Sequence, residues 1–224
     1  MALQKQEYLS VRNEMQVGDI IAFAGDDFIS GTIKLFTFSA VSHVAVVSRR
    51  TFYNDEYRIE IIESGYHKGQ NGDFIGVKTE LLSTRIDEYG ASGGQVWWLP
   101  LSVNNRQRLS IDNNESKFLQ FLYEQNGKPY DLNDAIKAGI DILDKAGITK
   151  AKENFNKLFC SELAAASLKQ VAILPKTLNS SEVTPIDLCM FNLYENNYVQ
   201  LVGKQKEIKG YNSISNSLLN NWGA

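Results

Sequence analysis

The stretch LFCSELAAASLK, Leu158 to Lys169, sets a cysteine ahead of a run of alanine and leucine, and the chain holds just one other cysteine, Cys189. A free thiol, with a pKa of about 8.5, becomes a useful nucleophile when helix N-terminal amides or a nearby imidazolium stabilise its thiolate. The alanine-rich run predicts a helix with Cys160 at or near its first turn and Asn154 and Asn156 upstream as caps, so that unpaired amides would favour a charged sulfur. The competing reading is a small buried apolar residue, which is what most free cysteines are. Cys189, in PIDLCMFNLY, has apolar neighbours and no base beside it, and is assigned to the core.

A thiolate that attacks an acyl carbon needs a proton carrier, and the chain has two histidines. His43 lies inside VSHVAVV, flanked by Ser42 and Val44. Alternation places it on the face of Val41, Ala45 and Val47, and the end of a sheet is where a thiol borne on a helix can meet it. The other reading is a core histidine with satisfied hydrogen bonds. His67, in SGYHKGQNG, is predicted in a surface loop, or in the wall of a cleft. A third group would orient the ring. Glu60 and Glu63 of YRIEIIE point to opposite faces of their strand, so only one can face His43. Glu63 is the better candidate because a strand-end position keeps a carboxylate partly hydrated; Glu60 reads as a solvated charge. GASGG, Gly90 to Gly94, satisfies the G-x-S-x-G spacing of a serine nucleophile, but Ser92 precedes a strand and no histidine follows His67.

The elements that must position these groups are strands first and helices later. Asp19 to Ala24 (DIIAFA) reads as a buried strand with a turn at Gly25 to Asp27, and Phe28 to Phe38 is loosely helical. Val41 to Val47 and Tyr57 to Glu63 are predicted to pair as a hairpin through Asn54 to Glu56. Ser64 to Gly76, with four glycines, reads as a loop, and Gln95 to Leu101 as a strand. Asp112 is predicted to cap a helix with Glu115 three residues on; Phe118, Leu119, Leu122 and Tyr123 form its stripe, and Gly127 with Pro129 stops it. Leu132 to Leu143 repeats apolar residues at helical spacing, and Asn197 to Val202 is a weaker strand. No repeat or linker divides the chain, so one α+β domain over 1–224 is expected, with helices packed on an antiparallel sheet or small barrel.

The balance of 23 basic and 26 acidic residues offers no electrostatic footprint for nucleic acid or an anionic membrane. Two cysteines and two scattered histidines make neither a disulfide framework nor a zinc site, so no metal or cofactor is called for and a reducing compartment is expected. The first apolar run, Ile20 to Ala24, is short and follows a polar lead, which predicts no secretory signal, no transmembrane segment and a cytoplasmic location.

The order GDIIAF, SGTIKLFTFSAVSHVAVV, IEIIES, NGKPYD, FCSELAAASL, TPIDL resembles the permuted branch of the NlpC/P60 cysteine peptidases, the branch that includes the YiiX-like proteins, from about Gly18 to Val202. The S-H-V strand and the F-C-S-E-L helix are its most specific parts. The resemblance implies a circularly permuted papain-like fold, with Cys160 as nucleophile, His43 as base and Glu63 as orienter. It also implies Tyr130, in the P-Y-D segment, as a substrate contact or an aid to the oxyanion, a core tyrosine being the other reading, and Ser42 beside the histidine as a second substrate contact. The expected reaction is hydrolysis of an amide in a small peptide or peptidoglycan fragment, with amides at the helix head holding the oxyanion. Ester or thioester cleavage or acyl transfer on an acyl-lipid is the alternative, for which Phe36, Phe38, Trp97 and Trp98 would suit a greasy chain; a further alternative is a silent binding module.

Overall fold

The computed structural model of the protein describes residues 2–25, 41–67, 74–128 and 151–221. Strand β2 (Ile20–Ala24) is apolar at every position because both of its faces are covered: all five residues are buried. It pairs antiparallel with β3 (His43–Tyr53) on one side and β6 (Gln95–Leu99) on the other. The expected hairpin forms. β3 turns through Asn54 and Asp55, at φ 50° and 62°, and returns as β4 (Glu56–His67). Left-handed backbone at two successive positions suits a tight hairpin, and Asn and Asp tolerate it well. β5 (Phe74–Leu81) pairs with β4, β7 (Asn197–Val202) with β6, and β1 (Ala2–Lys5) adds in parallel to β7. The order β1-β7-β6-β2-β3-β4-β5 makes one mixed sheet in an α+β arrangement. Its outer strands β1 and β5 are not neighbours, so the described residues form an open sheet and not a barrel.

Alternation along β2, β3 and β6 separates two cores. Ile20, Ala22, Val44, Val46 and Trp97 lie beneath α4 (Asn114–Gln125), α5 (Ala151–Gln170) and α6 (Pro185–Met190). Ile21, Phe23, Ala45, Val47 and Trp98 lie on the opposite face, against α1 (Tyr8–Val11) and α2 (Leu82–Ala91). Helix α3 (Val103–Ser110) joins the first core through Leu109.

Two local expectations are corrected. The Ser64 to Gly76 segment is not all loop, because strand extends to His67 and resumes at Phe74, with Gly65 directly opposite Gly76 in the ladder. Paired glycines weaken a strand yet do not stop it when its neighbours hold the register. Asp112 does not cap α4. Asp112 and Asn113 form a left-handed turn, φ 50° and 63°, and Asn113 takes the cap position without a side-chain bond. Of the expected stripe, Phe118 and Leu122 are buried and Leu119 partly so, whereas Tyr123 is exposed; Gly127 is in a left-handed conformation (φ 78°) just past the helix end. The stretches Phe28 to Phe38 and Leu132 to Leu143 lie outside the described residues. No helix among the described residues is long and apolar enough to cross a membrane.

Asp19 ties the layers together. Its buried carboxylate accepts from the Gln16 amide (2.9 Å), the Trp98 indole (2.8 Å) and the Leu101 amide (3.0 Å), and pairs with the Arg106 guanidinium at 2.9 Å. Removing it strands a partly buried cation and three donors, so Asp19→Ala is expected to lower the unfolding free energy by about 3–5 kcal/mol. Urea denaturation measures this, and a loss under about 1 kcal/mol would show that the tie lies elsewhere.

Candidate active site

Helix α5 runs from Ala151 to Gln170 with no glycine or proline to interrupt it, so Cys160 sits well inside the helix and not at its head. Asn154 and Asn156 are helical residues, not caps. The nine-residue step from Ala151 to Cys160 places the head amides about 13 Å away along the axis, too far to stabilise a thiolate or an oxyanion at this sulfur. The expectation for both is therefore corrected. The group that adjoins the sulfur is instead His43.

His43 opens β3, opposite Phe23 of β2, and its ring lies against Gly65 of β4. Alternation gives it the face of Ala45 and Val47, as expected, whereas Val41 precedes the strand and packs in the other core. Its Nε2 lies 2.6 Å from Glu63 Oε2, and its ring packs on Phe23 at 5.6 Å between centroids. The ring is also hydrogen-bonded to Cys160. Since Nε2 is taken by the carboxylate, Nδ1 is the nitrogen that faces the sulfur. Burial opposes the charged ring, but the negative charge and hydrogen bond of Cys160, followed by the hydrogen bond and charge of Glu63, outweigh it and raise the imidazole to about 10. At neutral pH the His43 ring is therefore an imidazolium, set against the Cys160 sulfur. Cys160 is 1% exposed, while the His43 side chain keeps 14%, so the histidine carries the solvent-facing edge of the pair.

Glu63 faces the ring, but for a reason opposite to the one its position suggested. Its side chain is fully buried, not hydrated at a strand end, because β4 continues four residues beyond it. The carboxylate is kept by Arg85 of α2, whose Nε lies 2.8 Å from Oε1. The guanidinium packs over the rings of Phe23 (5.9 Å) and Tyr89 (5.2 Å) and pairs through Nη1 with Glu88 on the same helix. Burial above all pushes the Tyr89 phenol well above its ordinary range. Glu60 is the solvated charge expected of it: 26% of its side chain is exposed, 3.9 Å from an Arg49 that is itself mostly in water.

Ser42 adjoins the histidine, yet its amide and hydroxyl both bond to the Phe23 carbonyl (2.8 and 3.3 Å), so it fixes the start of β3. Cys189 is fully buried in α6, and burial raises its thiol. Ser92 follows a helix and precedes β6, with its hydroxyl on the Tyr89 carbonyl at 3.1 Å, which is not the context of a serine nucleophile. His67 ends β4 and is not in a loop. Tyr130 lies outside the described residues, as do Phe36 and Phe38. Trp97 and Trp98 are buried in opposite cores, each indole N–H already donating, to the Lys206 carbonyl and to Asp19. Neither lines a groove for an acyl chain.

The residue missed in the sequence is Arg85. A signal was present: Leu82, Ile86 and Tyr89 recur at helical spacing, and Arg85 falls on that same stripe, where a cation needs a buried partner.

No protein-family model matches the chain, and no curated protein matches it. What defines the class of this protein is its own architecture: among the described residues, an open, seven-stranded α+β sheet at which Cys160, His43, Glu63 and Arg85 touch one after another in space.

Proposed function

We propose that the protein is a cysteine hydrolase that cleaves an amide bond in a small peptide or peptidoglycan-type substrate, on a permuted papain-like scaffold. The observation that carries this reading is the position of His43, held by Glu63 on one nitrogen and bonded to Cys160 on the other. A thiolate paired with an imidazolium is already activated, so attack needs no separate deprotonation. In the proposed first step sulfur bonds to the acyl carbon, and as the C–N bond breaks His43 donates its proton to the leaving amine. Water then gives a proton to the neutral ring and attacks the acyl-enzyme, the C–S bond breaks, and the acid leaves with the ion pair restored. Glu63 keeps the ring oriented through both steps.

Iodoacetamide labelling tests the first requirement. Cys160 is expected to react at least tenfold faster than Cys189 below pH 7, and His43→Ala to slow it to the rate of an ordinary buried thiol. Equal, slow labelling of both would favour a silent binding module. Peptides bearing D- and L-residues, offered beside phospholipid and thioester substrates, then separate the reactions. Turnover on the lipid or thioester panel alone would replace amide hydrolysis with acyl-lipid chemistry.

A further inference from the structure

We propose that Arg85 is a positioning residue for this site: gripping Glu63 Oε1 from helix α2, it keeps that carboxylate ionised in a dry setting and leaves Oε2 to the imidazole. The inference rests on the hydrolase reading only for its catalytic consequence, because its electrostatic content can be measured without turnover.

A carboxylate removed from water takes up a proton unless a cation and hydrogen bonds hold its charge. Glu63 has no exposed side-chain surface, and two cationic side chains adjoin it. Oε2 meets His43 Nε2 at 2.6 Å and Oε1 meets Arg85 Nε at 2.8 Å, with Arg85 Nη2 3.5 Å from Oε2. A protonated Glu63 would donate to Nε2 instead of accepting from it, and the ring could no longer carry the second proton that holds the thiolate. The fork that prevents this is itself fixed, packed against the touching rings of Phe23 and Tyr89 and anchored at Nη1 by Glu88. The charged and titratable groups of the cluster come from every element around it: His43 from β3, Glu63 from β4, Arg85, Glu88 and Tyr89 from α2, and Cys160 from α5. Of these Glu88 is half in water, so Arg85 is the fixed positive charge nearest Glu63 that no pH change removes.

The test uses the full chain and exploits its two histidines, since His67→Ala assigns the ring signals in one step. In the natural protein the His43 Cε1 resonance is expected to stay flat from about pH 5 to 7, whereas Arg85→Met is expected to introduce a step there as Glu63 takes up a proton. The ratio of Cys160 alkylation rates at pH 5 and pH 8 is expected to fall about tenfold in Arg85→Met, a one-unit shift. Arg85→Lys, which keeps the charge, restores most of that ratio and Arg85→Gln does not. A double-mutant cycle in urea covers the case in which Arg85→Met folds poorly: the loss of unfolding midpoint is expected to be large beside Glu63 and small in a Glu63→Gln background. A flat His43 signal in folded Arg85→Met, or equal midpoint losses in both backgrounds, overturns the proposal. Failure of the hydrolase reading would appear elsewhere, as natural protein whose Cys160 labels no faster than Cys189.

Discussion

Cys160→Ala is expected to abolish turnover, with a fall of about 10⁵- to 10⁶-fold in kcat, the scale seen when the nucleophile is removed from a unit of mutually dependent catalytic groups. The protein should remain folded, because alanine keeps the helix and the loss is one buried sulfur. A second change accompanies it. Among the groups that favour the His43 imidazolium, Cys160 is the largest, so its removal lets burial pull the ring down from about 10 toward the ordinary histidine range. Ring NMR of the alanine variant should show that fall directly. Cys160→Ser should be nearly as inactive, since a hydroxyl at this position lacks the acidity that lets a thiol share a proton with imidazole. An alanine variant retaining more than about 1% of the rate, or an unmoved His43 titration, would remove the sulfur from the mechanism.

Glu63→Gln is expected to cost about 10²- to 10⁴-fold in kcat/KM, the range for an impaired acid–base group, and to displace the alkaline limb of the pH–rate profile. The direction follows from the histidine. Its value in the fold, about 10, lies above the ordinary 6.5, so the imidazolium persists through neutral pH and is lost as pH rises through about 10. The leaving amine then has no acid to protonate it, and kcat/KM declines above that point. Removing the hydrogen bond and charge of Glu63 lowers the ring, so in the glutamine variant the decline begins at lower pH. The same sign governs stability: the His43 contribution is complete below about pH 6.5 and is lost as pH climbs through about 10. The variant also leaves Arg85 without its carboxylate, and its unfolding free energy should drop by about 3–5 kcal/mol. An alkaline limb that stays in place would show that Glu63 does not set the acidity of the ring.

The candidate site of this chain was more legible than its scaffolding. Cys160, His43 and Glu63 could be picked out because their residue types are scarce or sit where an apolar strand would not place them, and the three are brought together. The helix around Cys160 was misjudged because polarity upstream of it looked like a boundary. Asn154 and Asn156 lie instead within a longer helix, whose limits are decided by packing against β3 and β4 and not by local cap chemistry. The consequence reaches the proposed mechanism, in which an imidazolium and not backbone amides would support the sulfur. Glu63 was selected on a strand length that stopped too soon, and a glycine pair concealed the continuation into β4 and β5. Arg85 could not be placed without α2, a short helix whose first residue follows β5 directly and whose cap position is Leu81, with no side-chain cap to announce it.

The candidate site draws on both of the cores described above. Cys160 belongs to the layer of α4, α5 and α6, while Phe23, Tyr89 and the helix that bears Arg85 belong to the layer beneath α2. His43 is the rivet through the sheet that joins them. Neither layer can therefore drift in sequence by itself: a substitution that tilts α2 moves Arg85, and through Glu63 and His43 it reaches the surroundings of a cysteine in the layer on the other face of the sheet.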